Sequence, residues 1–306
     1  MRLELGINTC FAVKRWPRPA DWAAVVRDEL RLTLVQHSLD LVDLDAGDAR
    51  LASQAAAVRE AASAFGLRIH STFTGLAAYS SNLLLDPDLA ARSSAADRLG
   101  RSIELTAALG AIATGGHVGA YSVADWRDPR ARARGHERLR DSLAALSSTA
   151  QRAGLEYLVV ENLAAAREPS TIAGIEALLS EGDEQHVPIR LCLDVGHMCV
   201  PGTSGEDRDP YAWLRRFGRR APIVQLQQSD AAGDHHWPFT PATNRAGRIE
   251  AEAVIDALEG SGAESVALVL EVIPPFEQDD DEVLADLVAS VDYWREALAR
   301  RGFAVS

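Results

Sequence analysis

Cysteine is scarce in this chain. The three present, Cys10, Cys192 and Cys199, are too few and too scattered for a disulfide framework or a thiolate zinc site, which points to a reducing compartment. There is no run of about 18 apolar residues to span a bilayer. The opening MRLELGINTC also lacks the charged-then-apolar pattern of a secretion signal, so the expectation is a cytoplasmic protein with no membrane partner. Positive charge is in deficit too: 31 Lys and Arg stand against 44 Asp and Glu, for a formal net charge of -13. Affinity for nucleic acid comes largely from neutralising phosphates, so this balance argues against a nucleic-acid partner. Finally, no G-x-G-x-x-G follows the first apolar run, which removes the fingerprint of a dinucleotide-binding fold.

What is present is an alternation. With 306 residues, 47% hydrophobic and 25% charged, the chain can bury a large core. Short runs rich in Val, Leu and Ile alternate with Ala-, Leu- and Arg-rich stretches of helical spacing, the mark of parallel strands joined by helices. Strands are expected over 3–8, 33–38, 67–73, 111–115, 156–162, 190–195, 223–228 and 266–272. Helices are expected between them, among others over 21–29, 49–64, 88–109, 134–152 and 281–300. Several of these begin after Pro, Asp, Ser or Thr, as helix starts prefer. Eight such units with no linker-like shift in composition predict one domain over 1–306, an α/β fold that is a single (β/α)8 TIM barrel. The longest irregular stretch, 229–247, holds DHHWPFTP, and its aromatic residues suggest an ordered, substrate-covering loop.

Barrel enzymes build their sites at the C-terminal ends of the strands, where polar residues recur here strand after strand. His70 and Ser71 close the third run, His117 follows the fourth, and Glu161 and Asn162 close the fifth. Asp194 and His197 follow the sixth, Gln225 and Gln227 lie on the seventh, and Glu271 closes the eighth. A lone histidine at a strand end is more often a hydrogen-bonded rim residue than a site residue. Three carboxylates set in the apolar runs LVVEN, LCLDVGH and LVLEV are harder to explain that way, because they would repel one another in a low-dielectric barrel mouth unless a cation lay between them. Oxygen donors with few nitrogens favour Mn²⁺ or Mg²⁺, with Co²⁺ or Zn²⁺ as alternatives. The competing explanation is a set of salt bridges to Arg68, Arg190 or Arg245.

RIHSTF, GGHVG, VVEN, LDVGH, VQLQQSD and LVLEV together resemble the xylose isomerase-like barrel superfamily over nearly the whole chain. That superfamily includes ketose 3-epimerases of the tagatose and psicose type, other sugar isomerases and apurinic endonucleases. The resemblance implies a divalent metal held by Glu161, Asp194, Gln225 and Glu271. Gln225 stands where the motif usually has His; alternatives are that Gln227 points inward or that His235 or His236 substitutes. It further implies that Glu161 and Glu271 exchange a proton from opposite faces of a substrate carbon while His197 steadies a substrate oxygen or carries a proton between oxygens. NTCFAVKRWP, QQSD and HHWPFTP look most like a subgroup acting on short ketose phosphates, and like the barrel subunit of C-glycoside deglycosidases. Lys14, Arg15 and Trp16 are then candidates to bind a phosphate or stack on a sugar, although a Lys-Arg pair is more often a solvated loop. His70, His117, His236, Trp237 and Phe239 complete the expected substrate contacts.

The leading expectation is a metal-dependent isomerase or epimerase of a ketose or ketose phosphate. A lyase acting on 3-oxo-glycosides would use the same site with a small partner subunit and an aromatic mouth of Trp16, Trp237 and Phe239. A sugar-binding barrel without turnover is a third reading. The apurinic endonuclease branch, with His70, His117, Asp234 and His236 as extra zinc ligands, is disfavoured by the acidic charge. The expected partner is a sugar, with a homo-oligomer or a partner subunit left open.

Overall fold

The computed structural model describes residues 1–179 and 186–304. Its eight strands are β1 (Arg2–Asn8), β2 (Leu34–Ser38), β3 (Arg68–Phe73), β4 (Ala113–Gly116), β5 (Tyr157–Glu161), β6 (Ile189–Asp194), β7 (Ile223–Leu226) and β8 (Ser265–Leu270). They pair in parallel, each with the next, and β8 closes onto β1. The expected (β/α)8 TIM barrel is the architecture found.

Each strand is buried on both faces, which is why its sequence reads as a continuous apolar run. Tyr157, Val159, Cys192, Ile223, Ala267 and Val269 point inward with Leu34, Phe73 and Ala113 and fill the barrel. Their outward neighbours, such as Val160, Leu193, Val224 and Leu268, pack on the helices around residues including Trp213 and Trp294. Glu161, Asp194, Gln225 and Glu271 continue the inward alternation at the C-terminal end, so one periodicity sets both core and site. β4 approaches β5 through Gly115, whose φ of 142° is open to glycine and where a Cβ would run into the Val159 carbonyl oxygen.

Around the barrel run α1 (Pro19–Ala24, extended by a wider π turn over Val25–Glu29), α2 (Asp48–Ala64), α3 (Leu89–Leu109), α4 (Val123–Arg127), α5 (Pro129–Ala153), α6 (Ile172–Leu179), α7 (Pro210–Phe217), α8 (Pro241–Ala246), α9 (Ala251–Ser261) and α10 (Asp280–Arg300). Side-chain caps begin several of them: Asp88 accepts from Ala91 N, and Asp128 accepts from Arg130 N just ahead of Pro129. That Asp-Pro cap starts α5 at residue 129 rather than at the expected 134. The stretch over 229–247 is also less irregular than expected. Trp237 and Gln228 exchange backbone hydrogen bonds of 3.0 and 2.9 Å, and a reciprocal Thr240–Thr243 capping box starts α8. Among the described residues no helix is long and apolar enough to cross a membrane.

Candidate active site

Four consecutive strands deliver Glu161, Asp194, Gln225 and Glu271 to one buried cage at the C-terminal mouth. Neighbouring register places Glu161 beside Cys192, Asp194 beside Gln225, and Gln225 beside Val269, two residues before Glu271. Each carboxylate has one oxygen held by a neighbour. Glu161 Oε2 accepts from the Tyr79 hydroxyl at 2.7 Å. Asp194 Oδ1 accepts from Gly196 N at 2.6 Å and Gln227 Nε2 at 3.0 Å. Glu271 Oε1 accepts from the side-chain amides of Asn8 and Gln225, both at 2.8 Å. The opposite oxygens, Glu161 Oε1, Asp194 Oδ2 and Glu271 Oε2, are buried without a hydrogen-bond partner among the described residues, as is Gln225 Oε1.

Buried polar atoms are seldom left unpaired, and here four oxygens are left so in one place. Ligand atoms of Glu161, Asp194 and Glu271 lie within 4.8 Å of one another. Burial pushes the Glu161 carboxyl up to about 8, with Asp194 adding to the shift against His197 and Tyr79. Burial likewise raises Glu271 well above the ordinary range, with Glu161 and Asp194 adding and His236 and His197 opposing. So much negative charge in so little water calls for a cation, and the hard oxygen donors fit a divalent metal. The alternative of arginine salt bridges is not what the structure shows: the ion-pair partners of these carboxylates among the described residues are His197 and His236. Arg68 pairs with Glu4 instead.

The histidines form the outer edge of the cage. His197 Nδ1 lies 2.7 Å from the Asn162 carbonyl, a position that requires a proton on Nδ1 and turns Nε2 inward. That Nε2 is 3.3 Å from Asp234 Oδ2 and 4.0 Å from Asp194 Oδ2. Burial opposes charge on His197, but Asp194, Asp234 and Glu161 outweigh it and raise its pKa. His236, at a left-handed φ of 48°, has Nδ1 at 3.1 Å from the Glu271 carbonyl and Nε2 at 3.2 Å from Asp234 Oδ1. Its pKa rises to about 9, because Asp234 and Glu271 overcome burial. Gln227 Nε2 reaches Asp194, Asp234 (2.8 Å) and His236 (3.3 Å), so this glutamine also faces inward, above Gln225.

Residues 29–298 match the model of the xylose isomerase-like TIM barrel. The chain belongs to that family. A D-erythrulose 1-phosphate 3-epimerase of Brucella abortus (strain 2308) is 28% identical over 299 residues, covering 96% of each chain. A solved structure from Rhodospirillum rubrum ATCC 11170, assigned provisionally as a xylose isomerase, is 35% identical with a TM-score of 0.89, over 96% of this chain and 99% of that one. A D-tagatose 3-epimerase-like protein shares the fold at 13% identity and a TM-score of 0.74, over 98% of both chains.

Beyond the cage, the barrel brings some of the expected residues together and sets others apart. His117 is buried beside it, its ring stacked on Tyr79 at 5.0 Å and 7° and its ring nitrogens without a well-aligned hydrogen bond among the described residues; burial lowers its pKa to about 4, against the Ser81 backbone, which raises it. Trp237 stacks on His235 at 3.9 Å and 2° in the loop carrying His236. Lys14 is exposed at a φ of 65°, its ammonium 4.4 Å above the Phe276 ring. Three expectations give way to structural roles. Arg15 is tied to Asp280 and, at 2.6 Å, to the Pro275 carbonyl. Phe239 is buried against Tyr293 and Trp294 at 5.4 Å each, so it belongs to the core. His70 lies at a register shift between β2 and β3. Among the described residues its Nδ1 meets the adjacent Ser71 hydroxyl at 3.3 Å, and its carbonyl accepts from Ile112 N. Trp16, half-buried, leans on Phe11 at 5.9 Å. Three site residues carried no expectation: Tyr79, Asn8, and Gln36, whose Oε1 accepts from Asn8 Nδ2 and Gln225 Nε2 at 2.9 Å each. Asn8 closes β1 and Gln36 lies within β2, on the strands like the others; Tyr79 sits on a short 3-10 turn, Leu76–Ser80, between β3 and α3, with no periodic signal.

Proposed function

We propose that this chain is a metal-dependent isomerase or epimerase of a ketose or ketose phosphate. The observation that carries the reading is the cage itself: three buried carboxylates with ligand atoms within 4.8 Å of one another, each with one oxygen held and the other without a hydrogen-bond partner among the described residues. The similarity to a D-erythrulose 1-phosphate 3-epimerase supports a short ketose phosphate as substrate.

Glu161, Asp194, Glu271 and the Gln225 amide oxygen would hold the metal, and hard oxygen donors favour Mn²⁺ or Mg²⁺. When bound, the metal supplies positive charge that lowers the cost of an oxyanion forming next to the reacting C–H. The chain's own groups do the rest. Glu161 at the end of β5 and Glu271 just past β8 enter from separate parts of the barrel wall. One takes a proton from the substrate carbon and the other returns it from the opposite side, which inverts the centre. His197, fixed through Nδ1 by the Asn162 carbonyl, presents Nε2 to a substrate oxygen. His117, stacked on Tyr79 at the edge of the cage, offers a ring nitrogen to a substrate hydroxyl.

The test is to incubate the protein with erythrulose 1-phosphate, related ketose phosphates, free ketoses and 3-oxo-glycosides in deuterated water with Mn²⁺, and to follow the carbon-bound protons by NMR. The proposal expects deuterium at a carbon next to the carbonyl of a ketose or its phosphate, abolished by chelator. Loss of an aglycone from a 3-oxo-glycoside without ketose exchange, or no reaction with any of these, would overturn it.

A further inference from the structure

The two glutamates of the cage are held in different ways. Glu271 Oε1 takes two amide hydrogen bonds from Asn8 and Gln225, both anchored in barrel strands. Glu161 Oε2 takes one, from a phenol on the loop between β3 and α3. The terminal torsion of a glutamate is broad and nearly two-fold, so a carboxylate with neither oxygen held samples both faces. Among the described residues the bond from Tyr79 is the hydrogen bond that distinguishes the two oxygens of Glu161; His197 Nδ1 stands 3.6 Å from the other, Oε1, beyond hydrogen-bond reach.

Tyr79 is itself fixed from two directions. Its ring lies flat on His117, at 5.0 Å and 7°. The backbone of its loop is clamped from behind by Asp40, whose Oδ2 accepts from Leu76 N at 2.6 Å and whose Oδ1 accepts from Ala77 N at 3.1 Å. Gly75 opens the loop at a φ of 73°. A Cβ there would stand 2.5 Å from Asp40 Oδ2, so only glycine lets the carboxylate come close enough to hold the turn. Among the described residues Asp40 makes no hydrogen bond or ion pair to the cage.

We propose that Tyr79 is a positioning residue, seated over the cage by the Asp40 clamp, which fixes the rotation of the Glu161 carboxylate so that Oε1 is the oxygen presented to metal and substrate. This rests on the reading of Glu161 as ligand and acid–base group. Tyr79→Phe removes the hydroxyl and keeps the ring on His117. Asp40→Asn keeps the shape of the clamp but replaces one accepting oxygen with a donor, which weakens the hold on the loop without touching the cage.

The experiment measures kcat and KM in the deuterium-exchange assay, and the Mn²⁺ dissociation constant of metal-free protein by electron paramagnetic resonance, for both variants, their combination and Glu161→Gln, with a melting curve for each. A hydrogen bond to a charged acceptor predicts that Tyr79→Phe loses about tenfold or more in kcat with little change in KM. It should also bind Mn²⁺ severalfold more weakly. Asp40→Asn should move both readouts the same way by less, and the double variant should be no worse than Tyr79→Phe alone, because both changes act on one carboxylate. If Tyr79→Phe does not fold, the Asp40→Asn readouts decide. Wild-type kcat and wild-type Mn²⁺ affinity in a folded variant, whatever its melting temperature, would overturn the proposal, as would fully additive losses. If Glu161→Gln is inactive while Tyr79→Phe is unaffected, only the role of Tyr79 falls. If Glu161→Gln turns over normally, the reading of Glu161 falls and this role with it.

Discussion

Replacing Glu161 by glutamine should stabilise the metal-free protein while removing its turnover. The Glu161 carboxyl is raised from 4.5 to about 8 in the fold, chiefly by burial. A carboxyl raised on folding contributes its full stability below the unfolded value and loses it as pH rises through the folded one, because the unfolded chain gives up the proton first. At pH 7 the unfolded group is about 2.5 units past its own pKa while the folded group still holds its proton, a loss of roughly 3 kcal/mol. Glutamine has the same shape. Its amide oxygen can take the Tyr79 hydrogen bond, its amide nitrogen stands where Oε1 stood and can donate toward Asp194 and Glu271, and it has no proton for the unfolded chain to release. The variant should therefore melt about 6 °C higher at pH 7. Scanning calorimetry on chelator-treated protein at pH 5 and pH 7 checks this. The gain should be several times larger at pH 7, and added Mn²⁺ should raise the melting temperature of the wild type but not of the variant. A destabilised variant, or an equal gain at both pH values, would refute the reasoning.

Glu271→Gln should fold normally, since a glutamine oxygen can accept from Asn8 and Gln225, yet lose about 10²- to 10⁴-fold in turnover as one of the two proton-transfer groups goes; steady-state kinetics decide. Phe239→Ala should destabilise by about 3–5 kcal/mol through the cavity left beside Tyr293 and Trp294. Denaturant titration measures that cost, and KM should stay within about twofold if Phe239 is core rather than a substrate contact. Burial lowers His37 from 6.5 to about 4. Because the unfolded histidine then protonates first, stability should fall by roughly 3 kcal/mol as pH drops from 6.5 to 4. His37→Gln should flatten that part of the stability curve; an unchanged slope would mean that His37 is not held neutral.

The barrel was legible because burial of both strand faces writes itself as apolar runs, and the cage because inward carboxylates interrupt those runs at their ends. Glu161, Asp194 and Glu271 needed nothing but position in a strand. What escaped the sequence depends on contacts far along the chain. Arg15 looked free to meet a phosphate, but its partners are Asp280 and the Pro275 carbonyl, which no local pattern connects to it. Phe239 sat in a loop among polar residues, and only the return of α10 shows that it packs inside. His70 fails by one step of register: the shift beside Val35 and Gln36 moves it out of the alternation that brings Ser71 within reach of Gln36. Tyr79 reaches Glu161 from a turn held by Asp40, a geometry fixed by hydrogen bonds rather than by periodicity.

The most direct test of the account is the metal content of protein purified without chelator, by mass spectrometry, for the wild type and Glu161→Ala. The account predicts about one divalent ion per wild-type chain, Mn²⁺ or Mg²⁺ foremost, and its loss in the variant. A wild type that takes up no metal even from added Mn²⁺, or a variant that keeps its full share, would contradict it.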